Sequence, residues 1–462
     1  MEQAKQKTVF GDMTSGNPAM LILKFTIPLL IGNIFQQLYN MVDSIVVGNY
    51  VGHIALAAVG TGFPFIFFMN SLFMGLGIGA TIMISQYFGA GDMINVKKTV
   101  DTIYTSMMII SIPLSVIGVF ASRFILELIN VPADTIDTAN IYMIIIFLGT
   151  IGGLGFNVNA GILQGLGDSR TSLIFLAIAC VVNIILDLVF VIVFGWGVAG
   201  VAIATIIAQF CSWVFGIFYI NKKYEFLNIS PFRFQIDKEL LKRTVKLGIP
   251  AGLQQALFSV GIMVFQSLVN RYGSDYMAGF NAANKIDTFA FMPIQSFATA
   301  ATTYVGQNIG AGRIDRVKKG VVASLTMSFS VSVGICLLLI PLGPYLLKLF
   351  NGDPIVIESG MAYLYRILPF YGLLSLLFTI NGIIRGAGEM IVPMIATLLS
   401  LWIVRVPSAY LFEHFFGRDN MYFGYAAGWE VGLTISGIYY LTGKWKSKAI
   451  TGKTGQTVLL NE

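Results

Sequence analysis

An all-α integral membrane protein, with twelve transmembrane helices in two six-helix lobes, is the fold class this sequence predicts. Three observations predict it: a shortage of charge, twelve long apolar runs, and a repeat that divides the chain in half. Of 462 residues, 56% are hydrophobic and 11% charged, with mean hydropathy +0.78. A soluble domain carries about 25% charged residues, so this chain lacks the polar side chains to cover itself and must face lipid. Its 49 glycines suit helices that approach closely in a membrane.

A helix crosses the hydrocarbon with about 20 apolar residues. Twelve such runs fall near 19–47, 54–88, 96–120, 136–164, 170–194, 197–220, 244–270, 276–308, 320–342, 359–384, 390–412 and 421–442. The first sixteen residues are polar, so no cleavable signal peptide is expected before the first run. The N-terminal segment 1–18, the connections after even-numbered runs, the linker 221–243 and the tail 443–462 together hold twenty-one Lys and Arg, from Lys5 and Lys7 to Lys453. The opposite loops hold four: Arg123, Arg271, Lys348 and Arg418. Basic loops stay cytoplasmic, so both termini are expected there, in a bacterial inner membrane. The net charge of +6 is thus a topology signal, and no nucleic-acid partner is expected.

The halves, 19–220 and 244–442, repeat at an offset of about 221. Gly89-Ala90-Gly91 before Val96-Lys97-Lys98 recurs as Gly310-Ala311-Gly312 before Val317-Lys318-Lys319, with Gln86 matched by Gln307. Gly165-Leu166-Gly167-Asp168 recurs as Gly386-Ala387-Gly388-Glu389, and Lys24 and Pro28 as Lys246 and Pro250. Six spans return the chain to its starting side, so the lobes are related by a pseudo-two-fold axis along the membrane normal. Such transporters bind substrate at midplane and alternate access by rocking.

Charges inside a span are costly and point to function. Asp43 follows Gln36, Gln37, Tyr39 and Asn40 in helix 1, and Asn183 and Asp187 sit one turn apart on one face of helix 5. Such carboxylates can carry a proton or offer hard oxygens to sodium, with Thr205 and Asn157 or Asn159 completing either network. At the repeat offset Asn183 becomes Val404, Asp187 becomes Ser408 and Thr205 becomes Ala426, so the first lobe is expected to couple the ion. The second lobe has Lys285 and Asp287, two apart and so diverging, then Arg366, Arg405 and Glu430; Arg405 is expected to pair with Glu430. Gln36, Asn157, Gln255, Lys285, Asp287 and Arg405 are expected to line the substrate cavity. The 19 Met and 36 Phe suit an adaptable apolar cavity, and equally lipid contact. Cys180, Cys211 and Cys336 are expected to be buried hydrophobes. Proline interrupts several spans, among them Pro28, Pro64 and Pro250.

Enzyme and nucleotide chemistry are not expected. Gly452-Lys453-Thr454 lacks the first glycine of a P-loop, and His53 and His414 have no metal-ligand spacing. No ATP and no cofactor are expected, only a coupling ion, H+ or Na+.

Phe25-Thr26-Ile27-Pro28-Leu29-Leu30, Gln36-Gln37-Leu38-Tyr39-Asn40-Met41-Val42-Asp43, Leu56-Ala57-Ala58-Val59-Gly60, both Gly-Ala-Gly junctions and Gln164-Gly165-Leu166-Gly167-Asp168 resemble the multidrug and toxic compound extrusion (MATE) family, over residues 15–445. The resemblance implies a two-lobed antiporter that exchanges H+ or Na+ for cationic or amphipathic drugs. It implies the proton-coupled, DinF-like branch, whose first-lobe network falls here on Pro28, Tyr39, Asp43, Asn159, Asn183, Asp187 and Thr205, with Pro28 kinking helix 1. Another branch places acids on helices 7 and 10; this chain has Gln254, Gln255 and Asn381 there, which disfavours a second-lobe sodium site. A lipid-linked precursor flippase is the alternative, although only Arg405 among the arginines is deeply placed. An intramembrane enzyme has no supporting metal or nucleophile constellation, and a passive channel would differ from a rocking carrier by a far faster ion current in a planar bilayer.

Overall fold

A computed structural model describes residues 11–129 and 131–451. Lys5, Lys7, Lys453 and the Gly452-Lys453-Thr454 string lie outside the described residues, as do the side chains of His53 and Pro64. The twelve expected runs correspond one to one with twelve long helical segments: α1 Pro18–Val51, α2 His53–Gly89, α3 Met93–Leu128, α4 Ala133–Leu148 with Thr150–Gly165, α5 Ser169–Val193, α6 Gly197–Lys223, α7 Lys238–Tyr272, α8 Ser274–Gly310, α9 Ile314–Lys348, α10 Pro354–Gly386, α11 Ile391–Phe416 and α12 Phe423–Leu441. Among the described residues, nine of these are long and apolar enough to cross a bilayer, and α4, bent by 53° at Gly149, makes a tenth. Helices α8 and α12 fall short in apolarity alone. The polar residues that cost α8 its apolarity include Asn281, Asn284, Lys285 and Asp287, and Asp287 finds its partner, the Tyr371 hydroxyl, within the protein.

Exposed side chains confirm which way the helices face. Ile112, Ile117, Phe120 and Phe124 on α3, and Leu337, Leu338 and Tyr345 on α9, are more than half exposed. Apolar faces of this extent are stable only against hydrocarbon.

The repeated motifs have a common physical cause. Gly91 and Gly312 stand at φ +74° and +72°, and Gly167 and Gly388 at +79° and +98°, where a side chain would be strained. Each ends a helix in the same way. The residue after the glycine donates its N–H five residues back: Asp92 to Tyr87 O, Arg313 to Asn308 O, Asp168 to Leu163 O and Glu389 to Ile384 O. These bonds satisfy orphan carbonyls of the last turn. The interhelix ties repeat too. Thr81 Oγ1 donates to Gly161 O at 2.9 Å between α2 and α4, and Thr302 Oγ1 donates to Gly382 O at 2.9 Å between α8 and α10.

By compactness the chain forms two units. One is 1–11 with 31–252, the other 12–30 with 253–462. Both divisions inside the helices fall two residues after a proline of the repeat, Pro28 in α1 and Pro250 in α7. The first unit therefore takes the opening part of α7, which packs closely against α2. A Cβ added to Gly75 would lie 2.3 Å from Gly248 O and 2.4 Å from Gly252 N, and one on Gly79 would lie 2.7 Å from Thr244 O. Only glycine allows these backbones to meet. In the second unit, aromatic rings of α7, α8, α10 and α12 build the core, with Phe280 stacked on Tyr422 and Tyr363 edge-on to both.

Candidate functional site

In the first unit, α1 and α5 bring Asp43, Asn183 and Asp187 together. Asn183 and Asp187 are fully buried. With its amide nitrogen turned toward the acids, Asn183 donates to Asp43 Oδ1 at 2.9 Å and to Asp187 Oδ2 at 3.1 Å. Tyr39, one turn before Asp43, donates to Thr205 Oγ1 of α6 at 3.3 Å. Asp187 Oδ1 is buried with no donor. Two carboxyls bridged by one amide cannot both stay negative in a low-dielectric site without a proton or a cation between them. The cluster thus has an acceptor to spare and a charge to be balanced. Among the described residues no group of three or more His, Cys, Asp or Glu side chains is arranged to hold a metal.

The site lies where helical geometry changes. A π-helical turn, Val47–Val51, follows Asp43 by one turn of α1, and another, Val189–Val193, follows Asp187 in α5. Such turns recur at functional sites because the extra residue re-aims side chains.

Tyr39, Asp43, Asn183, Asp187 and Thr205 are therefore one assembly. Asn159 bonds elsewhere: its carbonyl accepts from Tyr104 of α3 and its amide donates to Trp213 O at 3.0 Å. Asn157 faces a separate pocket lined also by Leu76, Ile103, Met107 and Thr244. Gln36 and Tyr39 line another with Phe156, Leu176 and Gln209. Pro28 belongs to the other compact unit.

The second unit departs from expectation at Arg405. It does not pair with Glu430, which is exposed. Its guanidinium instead lies 3.2 Å above the Tyr425 ring and 5.3 Å from that of Phe265, with Nε buried and unpartnered. A flat, weakly hydrated guanidinium stacks on an aromatic face more readily than it reaches a carboxylate elsewhere. Lys285 and Asp287 do diverge: Lys285 is exposed, and Asp287 accepts from Tyr371. Gln255 is half-buried, while its neighbour Gln254 donates to Thr397 Oγ1 at 2.5 Å and accepts from Arg385 Nη2 at 2.8 Å. Arg366 holds Asn420 Oδ1 at 3.0 Å. Cys180 and Cys336 are buried as expected, but Cys211 is exposed.

Sequence reasoning missed three tyrosines and two acids. Tyr142 adjoins Asp43 and Asp187, and Tyr363 adjoins Asp287. They are 221 residues apart, so the repeat offset already marked them as equivalents. Tyr371 carried no such signal. The acids are the last residues of the repeated glycine motif. Asp168 caps α5 and holds Lys223 Nζ at 2.6 Å, Thr171 Oγ1 at 2.6 Å and the Tyr224 hydroxyl at 2.9 Å. Glu389 accepts from Ile391 N at 2.8 Å and pairs with Lys448 at 3.1 Å. Burial pushes the Asp168 carboxyl up, but Lys223 and Thr171 outweigh it and hold the group below the usual carboxylate range.

Comparison with known proteins agrees with this architecture. The MatE family model matches twice, over residues 28–189 and 250–411, one copy in each half. A probable multidrug resistance protein of Bacillus subtilis, YpnP, is 32% identical over 94% of this chain and 98% of its own length. A Thermotoga maritima probable multidrug resistance protein, NorM, is 28% identical over 93% of each. The crystal structure of a MATE protein in the straight conformation superposes with TM-score 0.89 over 96% of this chain and 100% of that one, at 24% identity.

Proposed function

The chain belongs to the MatE family of transporters, and on that premise we propose that it is a secondary multidrug exporter driven by an ion gradient. It exchanges H+ or Na+ for organic compounds, often cationic and amphipathic, by rocker-type alternating access in a bacterial inner membrane with both termini cytoplasmic. No ATP enters the cycle. The reading draws on the multidrug resistance proteins to which the chain is similar and on one observation above all: Asp43 and Asp187 share the Asn183 amide in a buried site with an acceptor oxygen to spare. The coupling ion is cargo. A proton or a sodium ion satisfies Asp187 Oδ1 and balances the second carboxylate; leaving restores the repulsion. Tyr39 and Thr205 carry that change from α1 to α6. Pro28 and Pro250 mark the places where α1 and α7 pass between compact units, and so where helices yield.

The test is ethidium efflux from vesicles containing the purified chain, with a proton or a sodium gradient imposed separately. One gradient alone is expected to drive uphill efflux, and Asp43→Asn or Asp187→Asn to abolish it while insertion is normal. Full uphill efflux by both variants overturns the assignment of the site.

A further inference from the structure

We infer that the segment joining the two halves, residues 231–238, is an anchor that inserts aromatic side chains among anionic phospholipids at the membrane face carrying the basic connections. The inference rests on membrane insertion and not on the transport reading.

Residues 233–237 of the segment, between a turn and the start of α7, are pinned to α3 in a fixed register. Thr105 Oγ1 accepts from Gln235 N at 3.0 Å and donates to Gln235 O at 3.1 Å, and Thr102 Oγ1 accepts from Asp237 N at 3.1 Å. Higher up, Lys97 Nζ donates to Leu227 O at 2.7 Å. With Gln235 and Asp237 bonded to α3 through their backbones, Phe232, Phe234 and Ile236 are left 81%, 63% and 43% exposed. Three outward apolar side chains in six residues are unexpected in a water-exposed linker.

Depth identifies what covers them. One turn beyond Thr105, about 6 Å along the helix, α3 begins its exposed apolar face with Ile109, Ile112 and Val116. Phe234 therefore stands at the level where α3 enters hydrocarbon. The cavity lined by Ile103, Met107, Ile110 and Leu241 opens at the same α3–α7 junction and is apolar enough for an acyl chain. Arg233, Lys238, Lys242 and Lys246 are exposed beside the segment, and residues 222–246 contain seven basic against three acidic side chains. Apolar side chains flanked by cations at a membrane surface bind anionic headgroups.

The other half supplies a contrast. The corresponding segment before α1 turns its apolar residue inward: Met13 is buried, its N–H on Gln307 Oε1 at 2.8 Å and its carbonyl on Asn308 Nδ2 at 3.1 Å, while Arg316 Nη1 holds Gly16 O at 2.9 Å. Met13 falls opposite Phe234 at the repeat offset. One segment is satisfied within the protein, and the other is not.

The test uses the full chain with Phe234→Trp, reconstituted in bilayers of phosphatidylcholine with or without phosphatidylglycerol, and the parent chain as the baseline for its five tryptophans. The added tryptophan is expected to be quenched by lipids brominated near the top of the acyl chain and shielded from aqueous iodide. Quenching by phosphatidylglycerol brominated there is expected to exceed that by brominated phosphatidylcholine, and Arg233→Gln/Lys238→Gln/Lys242→Gln to remove the difference. Quenching by iodide but not by lipid overturns the anchor, as does protection from both, which would mean protein cover. Equal quenching by both lipids overturns the anionic preference. None of these readouts needs a working transport cycle, so a failure of the proposed function leaves the test intact.

Discussion

Asn183→Leu should cripple coupled efflux, because the Asn183 amide donates to both acids. Leucine shares the branched shape of asparagine but is larger, and Asn183 is fully buried, so efflux is compared per correctly inserted, folded protein. What disappears is two hydrogen bonds, 2.9 Å to Asp43 and 3.1 Å to Asp187. A hydrogen bond to a charged partner contributes about 1.5–3 kcal/mol, and 1.4 kcal/mol is about tenfold in rate. Part of the loss falls equally on every state of the cycle and cancels. Taking the remainder as one such bond, gradient-driven ethidium efflux should fall about 10- to 100-fold at equal protein insertion. Tyr39 adjoins the same carboxylate on α1 and donates to Thr205 Oγ1. Tyr39→Phe alone should be milder, and a cycle of Asn183→Leu with Tyr39→Phe should depart from additivity by 0.5 kcal/mol or more, as expected for two residues acting on one shared partner. Efflux by Asn183→Leu above half the wild-type rate, or additivity in the cycle, would falsify the claim that these groups act through Asp43.

Two further outcomes concern stability. Asp168→Asn should cost about 1–3 kcal/mol, the scale of a buried charge-assisted bond, seen as a lower melting temperature with a thiol-reactive dye that reports exposure of Cys180 and Cys336. Because the folded-state carboxyl is held below its ordinary range, its contribution is present at neutral pH and lost as pH falls through the folded value; the melting gap between Asp168→Asn and the parent chain should close in acid, and a gap that widens there refutes the sign. Gly75→Ala should destabilise by about 1–3 kcal/mol through overpacking, since its methyl would meet Gly248 O at 2.3 Å, whereas Gly60→Ala, with open space around it, should melt like the parent chain.

The class of fold was legible because the bilayer imposes it: a run of about 20 apolar residues has one spanning solution, and each of the twelve runs became a helix. The glycine motifs were legible as a repeat but not as geometry; only the structure ties them to a common helix ending with φ near +75° to +100°. In the site, Asn183 and Asp187 were readable from their spacing, since i and i+4 share a face. The Asp43 contact needed α1 to pack on α5, which no local pattern encodes. Asn159 shows the limit. A polar residue in a span announces that it needs a partner, not which one, and Tyr104 and the Trp213 carbonyl were nearer. Arg405 failed for the same reason. A sequence count of opposite charges favoured Glu430, while packing offered Arg405 the face of Tyr425.

These failures point to how the two halves diverged. Tyr142 and Tyr363 occupy the same place in the repeat and face an acid in each half. Around that constant tyrosine the first half assembles two carboxylates and an amide, and the second a carboxylate, a second tyrosine and a stacked guanidinium. The first arrangement lacks one positive charge. The second contains its own, so Asp287 has a fixed cation in the same cluster and no comparable need to recruit a mobile one. The duplicated scaffold kept its helix endings and its Thr81 and Thr302 ties, yet one buried cluster carries two acids and the other an acid balanced by a guanidinium. Of these two clusters, the first is the one that needs a proton or a cation to balance its second carboxylate, and its proposed role as the seat of the coupling ion rests on that difference.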